Sequence, residues 1–107
     1  SNHGGRQLDG ASSTINILPE VVDKVGKLVE VHLDGGIRSG QDVIKAMCLG
    51  AKGTYIGRAF LYGLGALGKD GVTKALDIIK TEADMTMALC GKRDVHDLNR
   101  DNIYRPK

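Results

Sequence analysis

An α/β architecture, the last two to three βα units of a (β/α)8 TIM barrel, is what three observations in this sequence predict. Short β-branched runs alternate with helix-period segments, the order expected of parallel βαβ connections. Two runs read as strands, Leu28–Leu33 and Thr54–Ile56, and each is followed by glycine and then a helix signal. The chain has 107 residues, fewer than half of the ~250 that a whole barrel takes. Two strands alone do not make a satisfactory parallel sheet, because such strands need both faces covered. The chain is therefore expected to be a piece of a longer protein. Its start points the same way: Ser1 stands where an initiator Met is expected, and neither a basic nor an apolar leader segment follows.

The elements follow in order. Apolar residues at 15, 18, 21, 22 and 25 have helix spacing. Pro19 places the start of the regular helix near itself, since proline suits a first turn and not an interior. Gly26 is the expected stop. The run LVEVHL, Leu28–Leu33, is the first strand, ended by Asp34-Gly35-Gly36. Ser39 predicts an N-cap, and Asp42 three residues on resembles the second half of a capping box. Val43, Ile44, Met47 and Cys48 give that helix its buried face, and Gly50 ends it. Thr54–Ile56 is the second strand, closed by Gly57, and terminal helices fill residues 59–98. The first runs from Ala59 to about Leu67. The next has Asp70 as its expected N-cap, a stripe of Val72, Ala75, Leu76, Ile79, Ala83 and Met87, and a stop at Gly91. Asp94–Leu98 reads as a short turn and the polar tail, 99–107, as frayed.

Composition narrows the function classes. Fifteen Lys+Arg against 13 Asp+Glu leave a net charge of +2, too close to balance to argue for nucleic acid or a membrane surface. No apolar run approaches the ~20 residues of a bilayer-spanning helix. Cys48 and Cys90 form no CxxC pair, which argues against a disulfide scaffold and against a zinc site, so no metal is expected. Both read as structural thiols, and Met85 and Met87 as core packing. His32 reads as a strand histidine facing a helix layer, His96 as solvated, and Glu82 and Asp84 as the water face of the long helix.

The chemistry lies in three loops. Asp34-Gly35-Gly36-Ile37-Arg38-Ser39-Gly40 and Ile56-Gly57-Arg58 each follow a strand and precede a helix. Glycine lets backbone N–H groups approach an anion, and the following helix N-terminus adds partial positive charge. Arg38 and Arg58 can each give a forked contact to phosphate. Taken singly, either loop also reads as a tight turn beside a solvated arginine. Two of them separated by one helix match the phosphate site that (β/α)8 barrels build after strands 7 and 8. The third loop, residues 1–10, carries His3 and Arg6 beside Gly4 and Gly5. A neutral imidazole takes a proton near pH 7, and an arginine fork holds a carboxylate in register with it. The pair suits proton abstraction from a 2-hydroxy acid, although by spacing alone it reads more readily as a loop histidine and a surface arginine.

The heptapeptide Ser1-Asn2-His3-Gly4-Gly5-Arg6-Gln7 resembles the active-site signature of the FMN-dependent L-2-hydroxy-acid dehydrogenases and oxidases. Asp34-Gly35-Gly36-Ile37-Arg38, Gly40, Asp42, Lys45-Ala46, Leu49-Gly50-Ala51 and Gly57-Arg58 continue the resemblance in register across about the whole chain. The resemblance implies FMN as cofactor and oxidation of a small L-2-hydroxy acid to the 2-oxo acid. The wording of the chain is most similar to the bacterial L-lactate dehydrogenase branch, which makes L-lactate the expected substrate. By position, His3 matches the catalytic base and Arg6 the substrate-carboxylate arginine. Ser1 matches a residue near the flavin ring; Asp34, Gly35, Gly36, Ile37 and Arg38 match the ribityl-phosphate loop; Gly57 and Arg58 match the phosphate clamp. The family also implies a homo-oligomer, commonly a tetramer, and the expected location of the chain is cytoplasmic or membrane-peripheral. Its earlier strands, absent from these residues, supply most isoalloxazine contacts and the aspartate that orients the histidine, so the chain alone is expected to be inactive. Two other readings stand beside this one: another phosphate-binding TIM-barrel enzyme using a flavin or nucleotide, and a truncated chain without chemistry. The first of these has no need of the His3/Arg6 signature, and size and flavin absorbance of the purified chain separate out the second.

Overall fold

Leu33 and Thr54 lie side by side at the centre of a two-stranded parallel sheet in the computed structural model, which describes residue 1 and residues 3–104. Strand β1 (His32–Asp34) pairs with β2 (Gly53–Tyr55), with His32 opposite Gly53 and Asp34 opposite Tyr55. The Lys52 N–H donates to the Val31 carbonyl at 2.8 Å, just before the ladder begins. Helix α1 (Thr14–Val25) precedes β1, α2 (Gly40–Cys48) joins the strands, and α3 (Arg58–Leu89) follows β2. The described residues thus hold two βα units around a two-stranded sheet and do not close into a barrel.

The first strand is shorter than the LVEVHL run predicts. The N–H groups of Leu28 and Val29 both bond back to the Val25 carbonyl, at 2.8 and 3.0 Å, so this stretch is still unwinding from α1. Leu28 is 81% exposed, and β-branched composition without a partner strand makes no ladder. Helix α1 begins at Thr14, so Pro19 lies inside it and not at its start. The missing proline N–H forfeits one helical bond. Leu18, buried beside it, and half-buried Ile15 and Val22 keep this turn pressed onto the core. Gly26 does cap the helix, but in a right-handed conformation, its N–H donating to the Val22 carbonyl at 2.9 Å.

The capping signals of α2 form as expected. Ser39 Oγ accepts the Asp42 N–H at 3.2 Å, and the Asp42 carboxylate accepts the Ser39 N–H at 3.1 Å. At the other end Gly50 takes φ +102°, and the Ala51 N–H reaches back to the Ala46 carbonyl at 3.1 Å. Gly91 closes α3 in the same way, with φ +67° and the Lys92 N–H donating to the Met87 carbonyl at 2.9 Å.

The break expected within residues 59–98 is present. Helix α3 bends sharply where Leu67 and Gly68 leave helical geometry, Gly68 at φ +60°. Gly63 and Gly71 then meet backbone to backbone across the bend. Gly68, not Asp70, therefore precedes the second arm. On that arm Met87 is buried at 6% exposure, whereas Met85 is 61% exposed and is not core.

Two apolar clusters hold the elements together. Leu18, Leu33, Ile37, Ala46, Leu49 and Ala51 fill the space between α1, the sheet and α2. Ile44, Cys48 and Met87 join α2 to α3, and Ile103 packs against both clusters. The tail is consequently not frayed through residue 103. Asn99 caps a short 3-10 turn, Arg100–Asn102, and the Arg100 guanidinium grips the Asp23 carboxylate at 2.6 and 3.2 Å. The last part of the expected frayed tail, 105–107, lies outside the described residues, as does Asn2 of the heptapeptide.

Candidate active site

Leu33 is buried against the helices at 2% exposure, so alternation turns Asp34 to the other face of the sheet. At this end of the strands a cavity of about 250 Å³ opens. Its walls come from all three glycine-rich loops: His3 and Arg6, then Asp34, Gly35, Gly36, Ile37 and Arg38, then Gly57 and Arg58. Nine of the ten residues singled out by sequence thus share one cavity. Parallel register brings this about, because pairing Asp34 with Tyr55 sets the ends of the two strands level.

Ser1 is the exception. It lines no part of this cavity and reaches it only through His3, whose Nδ1 bonds to Ser1 Oγ and whose N–H donates to the same oxygen at 3.3 Å. Ile37 contributes differently from its neighbours, since it is buried in the core at 6% exposure and anchors its loop. Two lining residues, Tyr55 and Leu61, were not singled out. The signal for Tyr55 was available: it is the last residue of β2, two residues before Gly57.

His3 and Arg6 lie on one short 3-10 turn, His3–Arg6. The Asp34 carboxylate sits 3.9 Å from His3 Nδ1. The negative charge on this side favours the tautomer with its proton on Nδ1, and this leaves the Nε2 lone pair as the free base.

The two helix N-termini behind the glycine loops differ in a way that sequence did not predict. At α2 the N–H groups of Arg38 and Ser39 both donate to Asp42 Oδ2 at 3.1 Å, and that of Gly40 donates to Glu82 Oε2 at 2.8 Å. The protein's own carboxylates therefore occupy this helix end, and Glu82 is more than a water-facing residue. At α3 the N-cap is Gly57, which makes no side-chain cap bond. Its open amides and dipole, with Arg58 beside them, are the half of the cavity suited to an anion.

The chain matches the FMN-dependent dehydrogenase family over residues 1–105. It belongs to that family.

Relatives of this chain include a peroxisomal (S)-2-hydroxyacid oxidase of Arabidopsis thaliana, 50% identical over 96% of this chain and 28% of the relative. An L-lactate dehydrogenase of Caulobacter vibrioides is 52% identical over 92% of this chain and 26% of the relative. Among solved structures, the monotopic membrane protein (S)-mandelate dehydrogenase superposes with a TM-score of 0.91 at 43% identity, covering 99% of this chain and 28% of that one. Flavocytochrome b2 superposes with a TM-score of 0.86 at 44% identity, over 94% and 27%. The chain thus spans just over a quarter of the length of the relatives it matches, and its βα units are part of their TIM-barrel fold. Among the described residues no helix is long and apolar enough to cross a membrane.

The donor set fits the phosphate-bearing end of FMN, the family's cofactor. Arg38, Arg58, the N-terminus of α3 and the Gly35-Gly36 backbone, at φ +109° and +82°, converge on one cavity. Its volume is below the ~300–1,000 Å³ of a complete small-molecule site, so these residues fit one end of the cofactor. Among the described residues no cluster of His, Cys, Asp and Glu is arranged to hold a metal.

Proposed function

We propose that this chain is the phosphate-binding and proton-abstracting portion of an enzyme that oxidises an L-2-hydroxy acid to the 2-oxo acid. One observation carries the reading: His3 and Arg6 share a single cavity with both glycine-arginine loops, and His3 Nδ1 faces the Asp34 carboxylate at 3.9 Å. FMN, when bound, supplies the acceptor for two electrons. Arg38, Arg58 and the Gly57 end of α3 hold its phosphate. Arg6 clamps the substrate carboxylate with its planar fork. His3 takes a substrate proton at Nε2, and the Asp34 carboxylate, 3.9 Å from Nδ1 and not hydrogen-bonded to it, favours the resulting imidazolium by its charge alone. Ser1 fixes the ring from the side of Nδ1. Within the substrate class we assign L-lactate, the substrate named for the Caulobacter relative.

The test is His3→Ala in the complete flavoprotein. Turnover falls by about 10²–10⁴, while flavin content stays at the native level because the phosphate loops are untouched. Near-native turnover in that variant refutes the base assignment. Arg6→Lys raises KM and lowers kcat together, since an ammonium cannot copy the two-point hold. Comparison of L-lactate, glycolate and L-mandelate as substrates tests the lactate assignment, which fails if L-lactate does not have the highest kcat/KM.

A further inference from the structure

We propose that Tyr55 is a positioning residue of the phosphate cavity, locked in place by His32 and Glu30 on the inner face of the sheet. The inference deepens the phosphate-site reading above and rests on it. Sequence placed His32 against a helix layer, but Leu33 takes that direction and His32 lies on the opposite face, exposed. In a (β/α)8 barrel the helices form the outer ring, so this face is the interior one. Tyr55 lines the cavity and His32 does not.

The three side chains form a directional chain. Glu30 Oε2 lies 3.2 Å from His32 Nε2, and a carboxylate there requires a proton on Nε2. In the neutral ring Nδ1 is then a lone pair, 3.3 Å from the Tyr55 hydroxyl, which donates to it. The two rings sit 5.8 Å apart at 42°. Opposite His32 the partner strand has Gly53, where an added Cβ would stand 3.4 Å from the imidazole, so the ring lies across this position. Among the described residues, the Tyr55 hydroxyl makes its side-chain hydrogen bond with His32. The hydrogen bond to His32 supplies the constraint. A cavity wall fixed in advance binds more tightly than one that must be ordered by the ligand.

The test measures FMN and riboflavin binding to the apoprotein of the full chain by quenching of flavin fluorescence. Native protein prefers FMN. Tyr55→Phe and His32→Phe each weaken FMN binding about five-fold, although His32 is outside the cavity. The double variant loses about five-fold and not the ~25-fold of independent effects. His32→Asn keeps an acceptor near the Nδ1 position and binds within about two-fold of native. The proposal is overturned if His32→Phe binds like native, if His32→Asn is as weak as His32→Phe, or if the two losses multiply. If native protein shows no preference for FMN over riboflavin, the phosphate-site reading itself fails and takes this inference with it.

Discussion

Gly40 of α2 and Ala83 of α3 meet without any side chain between them: a Cβ on Gly40 would lie 2.1 Å from the Ala83 nitrogen and 2.4 Å from the Ile79 carbonyl oxygen. The Glu82 carboxylate closes the same contact by accepting the Gly40 N–H at 2.8 Å. Gly40→Ala must push the helices apart, because backbone atoms cannot rotate away. We expect it to cost about 3 kcal/mol, read by urea denaturation. Native stability in this variant would mean that α3 is free to retreat.

Asp42 serves three groups at once, accepting from the N–H groups of Arg38 and Ser39 and from Ser39 Oγ, at 3.0–3.1 Å. Asp42→Ala strips this acceptor from the glycine-rich loop as well as from the helix. The expected loss is about 2 kcal/mol in stability, with faster amide exchange at Arg38 and Ser39. Unchanged exchange at these two amides would show that the loop keeps its shape without the carboxylate.

Acid should release the tail before it unfolds the core. The Arg100 guanidinium beside Asp23 holds that carboxyl below its ordinary value of 3.8. A carboxylate depressed in the folded state stabilises in full above its unfolded value and loses that contribution as pH falls through the lower folded one. Hydrogen bonding from the His96 N–H depresses Asp94 in the same direction. Ile103 should therefore lose its contacts as pH falls below about 4, followed by its methyl NMR signals. Asp23→Asn should show the released tail at neutral pH, and a tail that stays docked in that variant would assign no role to the pair.

The two cysteines should react on different timescales. Cys48 is 3% exposed, and burial, with the nearby Cys90, pushes its thiol up, so little nucleophilic thiolate is present at neutral pH. Cys90 is exposed at the end of α3. With an aromatic disulfide reagent at pH 8, one thiol per chain should titrate promptly and the second only on adding denaturant. Two prompt thiols would show that the Ile44–Cys48–Met87 cluster opens readily.

What could be read from the sequence, and what could not, separates along physical lines. Signals that act within a few residues were legible: the Ser39–Asp42 box, the left-handed glycines at 50 and 91, and the interruption between Leu67 and Asp70. So was the grouping of Asp34–Arg38 with Gly57 and Arg58, because parallel pairing brings successive strand ends together. Contacts across the fold left no local trace. Nothing near Pro19 shows that Leu18 will hold its turn, nothing near Glu82 shows that it will cap α2, and nothing in the polar tail shows that Arg100 will find Asp23. Leu28 and Val29 misled for the same reason, since strand composition does not supply a partner.

The level pairing of Asp34 with Tyr55 has a consequence for how such a site is inherited. Residues 31–58 contain both glycine loops, the strands that set their height, the helix that spaces them and the caps that end it. The geometry of the proposed anion cradle is therefore encoded in one uninterrupted stretch, braced by α1 and the second arm of α3. Exchange of that stretch between related barrels should carry the cradle as a working cassette, leaving the recipient's remaining strands to decide which acid is oxidised.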